Sequence, residues 1–311
     1  MTFDIENGKK VVFLGLSQTG KSTIINRVIK GQKIIPGADY NATINYQRIH
    51  KRIYGKDFLF LDLGGQIRFL DHFMGKYSEF VFNDVDLFIF VLEPLKISSL
   101  SRAKYYLELS MEKLEAYSPN AEKVILVNKI DLLPPNMDIH IIEEIKSYIM
   151  MNLPSEVMFY STSVFFDSIF TFIGELLTKM TGFTKVITTI TNRFITDCSI
   201  PISSINLFTE EGMELYSKST SEKNKRDVLN FSLILEQIKL LEFAKTQYNS
   251  IIIGSQLLVF HKISDSVILL VIFPKATVSG KLSFIDLYER ITSFSSIIEK
   301  ELRRTSSEGE C

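Results

Sequence analysis

Short, unbroken apolar runs alternate with helix-period segments through the first half of the chain, and that alternation predicts an α/β domain. Val11-Val12-Phe13-Leu14, Phe58-Leu59-Phe60-Leu61, Leu87-Phe88-Ile89-Phe90-Val91 and Val124-Ile125-Leu126-Val127 carry no polar residue. Runs of this length without alternation read as strands covered on both faces, as in a parallel sheet. Strands are predicted at 10–14, 44–53, 57–63, 86–92, 123–127 and 157–160, and helices at 21–30, 98–117, 139–151 and 167–180. Tyr54-Gly55-Lys56 is a hairpin signal between the second and third strands. Phe69, Phe73 and Tyr77 stand at helical spacing, and Ile169, Phe172, Ile173 and Leu176 share one face of the 167–180 helix. Strands joined by crossover helices give a doubly wound, mostly parallel sheet whose loops gather at the strand C-terminal ends.

The pattern changes near residue 183. Residues 183–196 read as a connecting helix or strand. Ile205-Asn206-Leu207-Phe208 and Met213-Glu214-Leu215-Tyr216 flank Thr209-Glu210-Glu211-Gly212 as a hairpin. Val228, Phe231, Leu235, Ile238 and Leu241 line an amphipathic helix. A short strand at 251–253 precedes a second hairpin, 257–263 and 266–273, that turns at Ser264-Asp265. A final helix at 282–302 aligns Leu287, Ile291, Phe294 and Ile298. This order, β-β-α-β-β-α with one further strand, predicts a separate α+β domain, so the chain divides into 1–183 and 184–311.

The loops of the first domain carry the chemistry. Gly15-Leu16-Ser17-Gln18-Thr19-Gly20-Lys21-Ser22 follows the first strand and opens the first helix, which is the context of a P-loop rather than of a chance Gly-rich turn. Glycines let backbone N–H groups wrap a phosphate, and the helix N-terminus adds partial positive charge. Ser17, Gln18, Thr19, Gly20, Lys21, Ser22 and Thr23 are thus candidate phosphate contacts. Lys21 is placed for the β- and γ-phosphates, and Ser22 for Mg2+. The third strand ends in Asp62-Leu63-Gly64-Gly65-Gln66. Asp62 is placed to meet Mg2+ through water, the Gly65 N–H to sense a γ-phosphate, and Gln66 to orient an attacking water. The fifth strand ends in Asn128-Lys129-Ile130-Asp131. The Asp131 carboxylate can accept from N1–H and the 2-amino group of guanine. Adenine lacks that pair of donors, and an unpaired buried charge discriminates strongly. Asn128 would hold the loop and Lys129 would lay its stem over the base.

These motifs resemble those of the Ras-like small GTPases over roughly the first 180 residues, and most of all the Rag GTPases. Ala42-Thr43-Ile44-Asn45 is similar to the Rag G-A-T-I-D segment, Asp62-Leu63-Gly64-Gly65-Gln66 to D-C-G-G-Q, and residues 82–91 to F-R-N-V-E-V-L-I-Y-V. Thr162-Ser163-Val164 resembles the T-S-I loop whose backbone meets the guanine O6, which implies roles for Ser163 and Val164. The resemblance implies that Thr43 binds Mg2+ and closes on the γ-phosphate, so that Gln66, Lys21 and Thr43 form the catalytic set. The Rag pattern tolerates Ser at the position of Ser17, where Ras has Gly. A side chain there crowds the γ-phosphate and implies slow hydrolysis. Some Rag proteins carry His where this chain has Asn128. Rag proteins also place a roadblock domain after the GTPase domain, and residues 205–212 resemble the opening hairpin of roadblock or longin-like domains. The expected fold is a Ras-like doubly wound sheet followed by a C-terminal roadblock/longin-like domain. The expected partners are GTP and GDP, a Rag-like or roadblock-containing chain forming a homo- or heterodimer, and GTPase-activating and exchange factors.

Composition narrows the alternatives. The chain has 311 residues, is 46% hydrophobic and 23% charged, and carries a formal net charge of −1. It has no basic excess for phosphate-backbone contact, which disfavours nucleic acid. Two cysteines, Cys198 and Cys311, fit a reducing, cytoplasmic setting, and no Cys/His metal spacing is present. The acidic N-terminus reads as neither a signal peptide nor a myristoylation site, Cys311 lies in no C-a-a-X box, and the apolar stretch 251–273 is broken by Lys262 and Asp265. Any membrane recruitment is therefore expected through partners. His261 reads as a half-exposed strand residue, His50 as a strand residue, His72 and His140 as helix-surface residues, and Arg68 as solvated. The competing functions are a non-hydrolysing, nucleotide-locked scaffold, an Arf-like trafficking GTPase, and an ATP-using P-loop enzyme, which Asp131 disfavours.

Overall fold

Val11-Val12-Phe13-Leu14 lies at the centre of a sheet with all four side chains fully buried, as an apolar run without alternation requires. In the computed structural model this run belongs to β1 (Lys9–Leu14). The structure describes residues 8–37, 41–95, 97–134, 138–154, 156–198, 200–220, 236–240, 246–253, 255–264, 267–274 and 284–307. Six strands form the first sheet in the order β2-β3-β1-β4-β5-β6. They are β2 (Tyr46–Ile53), β3 (Lys56–Leu63), β4 (Leu87–Leu92), β5 (Glu122–Val127) and β6 (Met158–Ser161) beside β1. The β1–β3, β1–β4, β4–β5 and β5–β6 pairs are parallel. This is the doubly wound arrangement that the alternating pattern predicts.

Helices fill the connections: α1 (Lys21–Ile24), α2 (Ile67–Met74), α3 (Ser78–Phe82), α4 (Leu100–Tyr117), α5 (Asp138–Met150) and α6 (Ser168–Thr181). Val12, Leu14, Phe88 and Phe90 of the strands pack in one cluster with Phe73 of α2, Leu107 of α4 and Ile149 of α5. Three local departures from the sequence pattern have physical causes. The first helix continues from Ile24 as a π-helical stretch, Ile25–Ile29, which buries Ile25, Val28 and Ile29 together. β2 begins at Tyr46 rather than at residue 44, because Asn45 adopts φ 62° and its carbonyl accepts from the Gly64 N–H at 2.7 Å. The helix carrying Phe69 and Phe73 stops at Gly75, so Tyr77 falls outside it and is exposed.

Contacts group the chain into two compact units, Met1–Lys51 with Asp57–Ile169, and Arg52–Lys56 with Phe170–Cys311. The sequence pattern divides the chain later, after residue 183; the contacts of α6 place it from Phe170 onward with the second unit. In that unit α7 (Phe183–Asp197) is a helix. A five-stranded antiparallel sheet follows, in the order β8-β7-β11-β10-β9. Its strands are β7 (Ser204–Phe208), β8 (Glu214–Ser219), β9 (Tyr248–Ile253), β10 (Gln256–Ser264) and β11 (Val267–Pro274). Leu258, Phe260, Ile268 and Leu270 form a core cluster with Ile238, which lies in a helical segment at 236–240. The last helix, α8 (Phe284–Ser307), buries Leu287, Ile291, Phe294 and Ile298, and Phe294 stacks on Phe194 of α7 with ring centroids 4.0 Å apart. Val228, Phe231, Leu235, Leu241, Asp265 and Cys311 lie outside the described residues. His261 corrects an expectation: it is buried at 4% exposure, not half-exposed.

Candidate functional site

Four loops meet at the C-terminal ends of the parallel strands. The first, after β1, is bound to the loop after β5 by side chains of the latter. Asn128 Nδ2 donates to the Thr19 carbonyl at 3.0 Å, and Lys129 Nζ donates to the Gln18 carbonyl at 2.6 Å. Thr19 Oγ1 donates to the Leu16 carbonyl at 3.0 Å and closes the turn from within. The approach is tight. Gly20 has φ 94°, and a Cβ there would overlap the Asn128 amide. Gln18 and Lys129 also hold left-handed backbone, at φ 65° and 69°.

The second meeting point lies under the first loop. Register pairs Phe13 of β1 with Asp62 of β3, so Asp62 emerges beside the start of the P-loop. Thr43 Oγ1 donates to Asp62 Oδ2 at 3.0 Å, and the Ser22 and Thr43 hydroxyls are hydrogen-bonded at 2.6 Å. Lys21 Nζ, buried, donates to the Gly15 and Leu16 carbonyls at 2.9 Å each. Burial brings Lys21 down to about 8, against the opposing pull of Asp62. Burial also pushes Asp62 up, against hydrogen bonds from Ser22 and Thr43 and the charge of Lys21. Desolvation therefore outweighs the attraction between the two groups, and each is driven toward its neutral form.

This donor set fits Mg2+. Two hydroxyls and one carboxylate converge, and Asp62 Oδ1 is buried without a hydrogen-bond partner. Among the described residues no group of three or more His, Cys, Asp or Glu side chains could form an all-protein metal cage. Few protein ligands, with the remainder from phosphate and water, is the usual Mg2+ arrangement.

Gly65 closes the site from the third strand's loop. A Cβ on it would overlap backbone atoms of Gly15 and Leu16, so its main chain lies directly against the first loop. Gln66 is half-buried and begins α2, its carbonyl accepting from the N–H groups of Phe69 and Leu70. Thr23 is half-buried in α1. Asp131 is exposed in the 3-10 turn Ile130–Leu132 that follows Lys129. The Ile130 N–H donates to the Thr162 carbonyl at 3.2 Å, and the Thr162 N–H to the Val127 carbonyl at 2.8 Å, which holds the last loop against the Asn128 loop. Ser163 and Val164 are both buried there. Asn128 Oδ1 is buried and has no hydrogen-bond partner. Of the residues singled out from sequence, Asp62 lies at the end of β3, Thr43 in the segment before β2, Lys21, Ser22 and Thr23 in α1, and the others on the loops after β1, β3, β5 and β6.

Sequence reasoning missed two residues. Glu93, directly after β4, pairs with Lys129 at 3.4 Å, its side chain largely buried. A strand ending in an acid was the signal that singled out Asp62, and it applies equally to Leu92-Glu93. Arg102, in the first turn of α4, lines a cavity of about 250 Å3 together with Ser17, Gly65 and Glu93. No local pattern marks it. Arg68, by contrast, is exposed and lies over the Phe69 ring at 4.6 Å.

The profile of the Gtr1/RagA G protein conserved region matches residues 10–238. Among solved structures the chain is similar to that of the Arl6 BBS3 small GTPase from Trypanosoma brucei with bound nucleotide analogue GppNp, at 22% identity over 50% of this chain and 87% of that one, with a TM-score of 0.39. No curated protein matches the chain by sequence.

Proposed function

The chain belongs to the Gtr1/RagA G-protein family, and we propose that it is a Rag-like switch that binds GTP with Mg2+ and hydrolyses it slowly to GDP. The observation that carries this reading is the convergence of Lys21, Ser22, Thr43 and Asp62 beneath a loop tied down by Asn128 and Lys129. Residues 17–23 cradle the phosphates. Lys21 Nζ exchanges its carbonyl partners for β- and γ-phosphate oxygens. Mg2+, when bound, supplies positive charge to those oxygens. Ser22 and Thr43 would hold it by their hydroxyls, and Asp62 would hold it through water. The Gly65 N–H meets the γ-phosphate, and Gln66 orients the attacking water. Asn128, Lys129, Asp131, Ser163 and Val164 take the guanine.

The switch follows from the same contacts. A bound γ-phosphate would add contacts to Thr43 and the Gly65 N–H, and its loss would loosen the segments that carry them. Ser17 narrows the space around that phosphate and slows turnover. Single-turnover hydrolysis with Mg2+ tests the reading: Gln66→Leu should lower the rate roughly 10-fold or more while leaving GTP affinity within about twofold. A rate unchanged by that substitution would mark a nucleotide-locked scaffold instead.

Partners extend the proposal. The second unit is read as a roadblock/longin-like dimerisation domain that pairs with a Rag-like or roadblock-containing chain, and GTPase-activating and exchange factors act on the switch segments. Support comes from β9, an edge strand with Tyr248, Ile252 and Ile253 exposed. Sedimentation equilibrium of the chain and of Ile252→Lys, alone and with a candidate partner, checks this. Among the described residues no helix is long and apolar enough to cross a membrane. We place the protein in the cytoplasm, meeting membranes only through a partner.

A further inference from the structure

Charge around the cavity beside the P-loop is unevenly committed. Arg102 is its one cationic lining residue among the described residues, and Ser17 and Gly65, which flank the γ-phosphate position in the reading above, form part of the same walls. The acids nearby already have partners: Glu93 is paired with Lys129 at 3.4 Å, and Asp71 accepts from Tyr106 Oη at 2.6 Å, one turn along α4 from Arg102. The Arg102 side chain is exposed. Among the described residues Glu93 is the one carboxylate in the same lining, and its ion pair with Lys129 draws it toward the Asn128 loop, so the five donors of the Arg102 guanidinium are suited to a phosphate that enters the same space. Arg68, the arginine nearest the catalytic Gln66 in sequence, lies instead on the face of Phe69.

We propose that Arg102 is an in-chain arginine that reaches across this cavity to the γ-phosphate of GTP and stabilises the charge that develops during hydrolysis. The inference rests on the guanine-nucleotide reading above. In the reaction a water oxygen forms a bond to the γ-phosphorus. The bond from that phosphorus to the bridging oxygen breaks, its electron pair stays on the β-phosphate of GDP, and the water proton passes to the released phosphate. Arg102 neither gains nor loses a proton. Its N–H groups meet the γ-oxygens and the bridging oxygen as charge spreads over them. A small GTPase built this way does not depend on a partner's arginine to complete its transition-state site.

The test is a transition-state analogue that needs no turnover. The full chain, loaded with Mg2+ and N-methylanthraniloyl-GDP, is titrated with aluminium fluoride and followed by nucleotide fluorescence. The wild-type chain should take up aluminium fluoride with no partner added. Arg102→Ala should do so at least about 10-fold more weakly, and Arg102→Lys should fall between, because ammonium keeps the charge and loses the planar fork. GDP affinity should stay within about twofold in all three, since the diphosphate lacks the group that Arg102 contacts. Single-turnover hydrolysis should fall roughly 30-fold in Arg102→Ala, the interval that separates intrinsic turnover with and without an in-chain arginine. Equal uptake by wild type and Arg102→Ala overturns the inference, as does absence of uptake by a wild type that binds GDP normally. A wild type that binds no guanosine phosphate overturns the nucleotide reading itself.

Discussion

The two units bury their polar side chains in opposite ways. In the first, Thr19, Lys21, Thr43, Asp62, Asn128 and Ser163 are buried at one end of one sheet; Thr43 and Asn128 bond across to other segments, and Lys21 bonds to carbonyls of the first loop. In the second, Thr178, Asn206, Glu214, Gln237 and His261 are buried on separate elements, and most bond to the neighbouring element. Thr178 Oγ1 reaches the Leu215 carbonyl at 2.8 Å, Thr171 Oγ1 reaches Glu214 Oε2 at 2.6 Å, and Ser217 Oγ reaches Asn206 Oδ1 at 2.8 Å. Convergence on one point, with Asp62 Oδ1 and Asn128 Oδ1 left unpaired, marks a ligand site. Dispersed pairs mark register and packing. Buried polarity alone therefore does not separate chemistry from architecture; its geometry does.

Lys21→Met should separate the units most widely. It removes a buried cation beside the phosphate position and keeps the apolar stem. Nucleotide affinity should fall roughly 100-fold or more in titration with a fluorescent GTP analogue, the scale of losing one partner of a buried charge pair. A loss below tenfold would remove Lys21 from the phosphate site. The second unit offers the converse experiment. A Cβ on Gly174 of α6 would overlap the Glu214 carbonyl of β8. Gly174→Ala should therefore destabilise the chain by about 3 kcal/mol in urea unfolding, with nucleotide affinity within about twofold while the chain remains folded. A parallel loss of affinity in the folded protein would break the division between ligand site and packing.

Sequence made the first unit legible because each of its motifs combines two independent signals. A long apolar run locates a buried strand, and the polar residues at its end then locate a loop at one edge of the sheet. Lys21, Asp62 and Asn128 were each readable in this way, and so was Glu93, had the same rule been applied after Leu92. Arg102 was not readable, because its placement depends on the first turn of α4 lining the same cavity as the first loop, and no spacing along the chain encodes that. The second unit shows the opposite limit. The strand and helix order was visible, but the alternation of β10 suggested a half-exposed His261. Cover from a distant aromatic group, the Tyr288 ring of α8 with its centroid 6.2 Å from that of His261, buries it instead. Periodicity tells which side chains share a face, not what the rest of the chain lays over that face.

His261 sharpens the contrast in a pH experiment. Neither ring nitrogen has a hydrogen-bond partner, and burial lowers its pKa from the usual 6.5. The folded chain thus binds this proton less readily than the unfolded chain does. The stability tied to neutral His261 is fully present above pH 6.5 and is lost as pH falls through the lowered folded value. Urea midpoints at pH 7.5 and 5.5 should show second-unit stability falling on acidification by at most about 1.4 kcal/mol per pH unit from this group. His261→Leu should flatten that dependence and add about 1 kcal/mol at neutral pH by removing an unsatisfied buried donor. His50, His72 and His140 are exposed, so an acid slope that survives His261→Leu would assign the effect to other groups.

The smallest effect returns to the first unit. Gln18 sits in left-handed backbone at φ 65° within the phosphate loop, and its own carbonyl accepts from Lys129. A non-glycine residue in that conformation carries roughly 1–2 kcal/mol of strain. Gln18→Gly relieves it, but glycine gives back roughly 0.5–1 kcal/mol through the greater freedom of the unfolded chain. The net should be a gain of at most about 1.5 kcal/mol in stability without nucleotide. The carbonyl that holds Lys129 is kept, so affinity should change less than about threefold. A stabilised chain that binds nucleotide several-fold more weakly would mean that the strain at Gln18, and not merely the loop's hydrogen bonds, holds the phosphate cradle in shape.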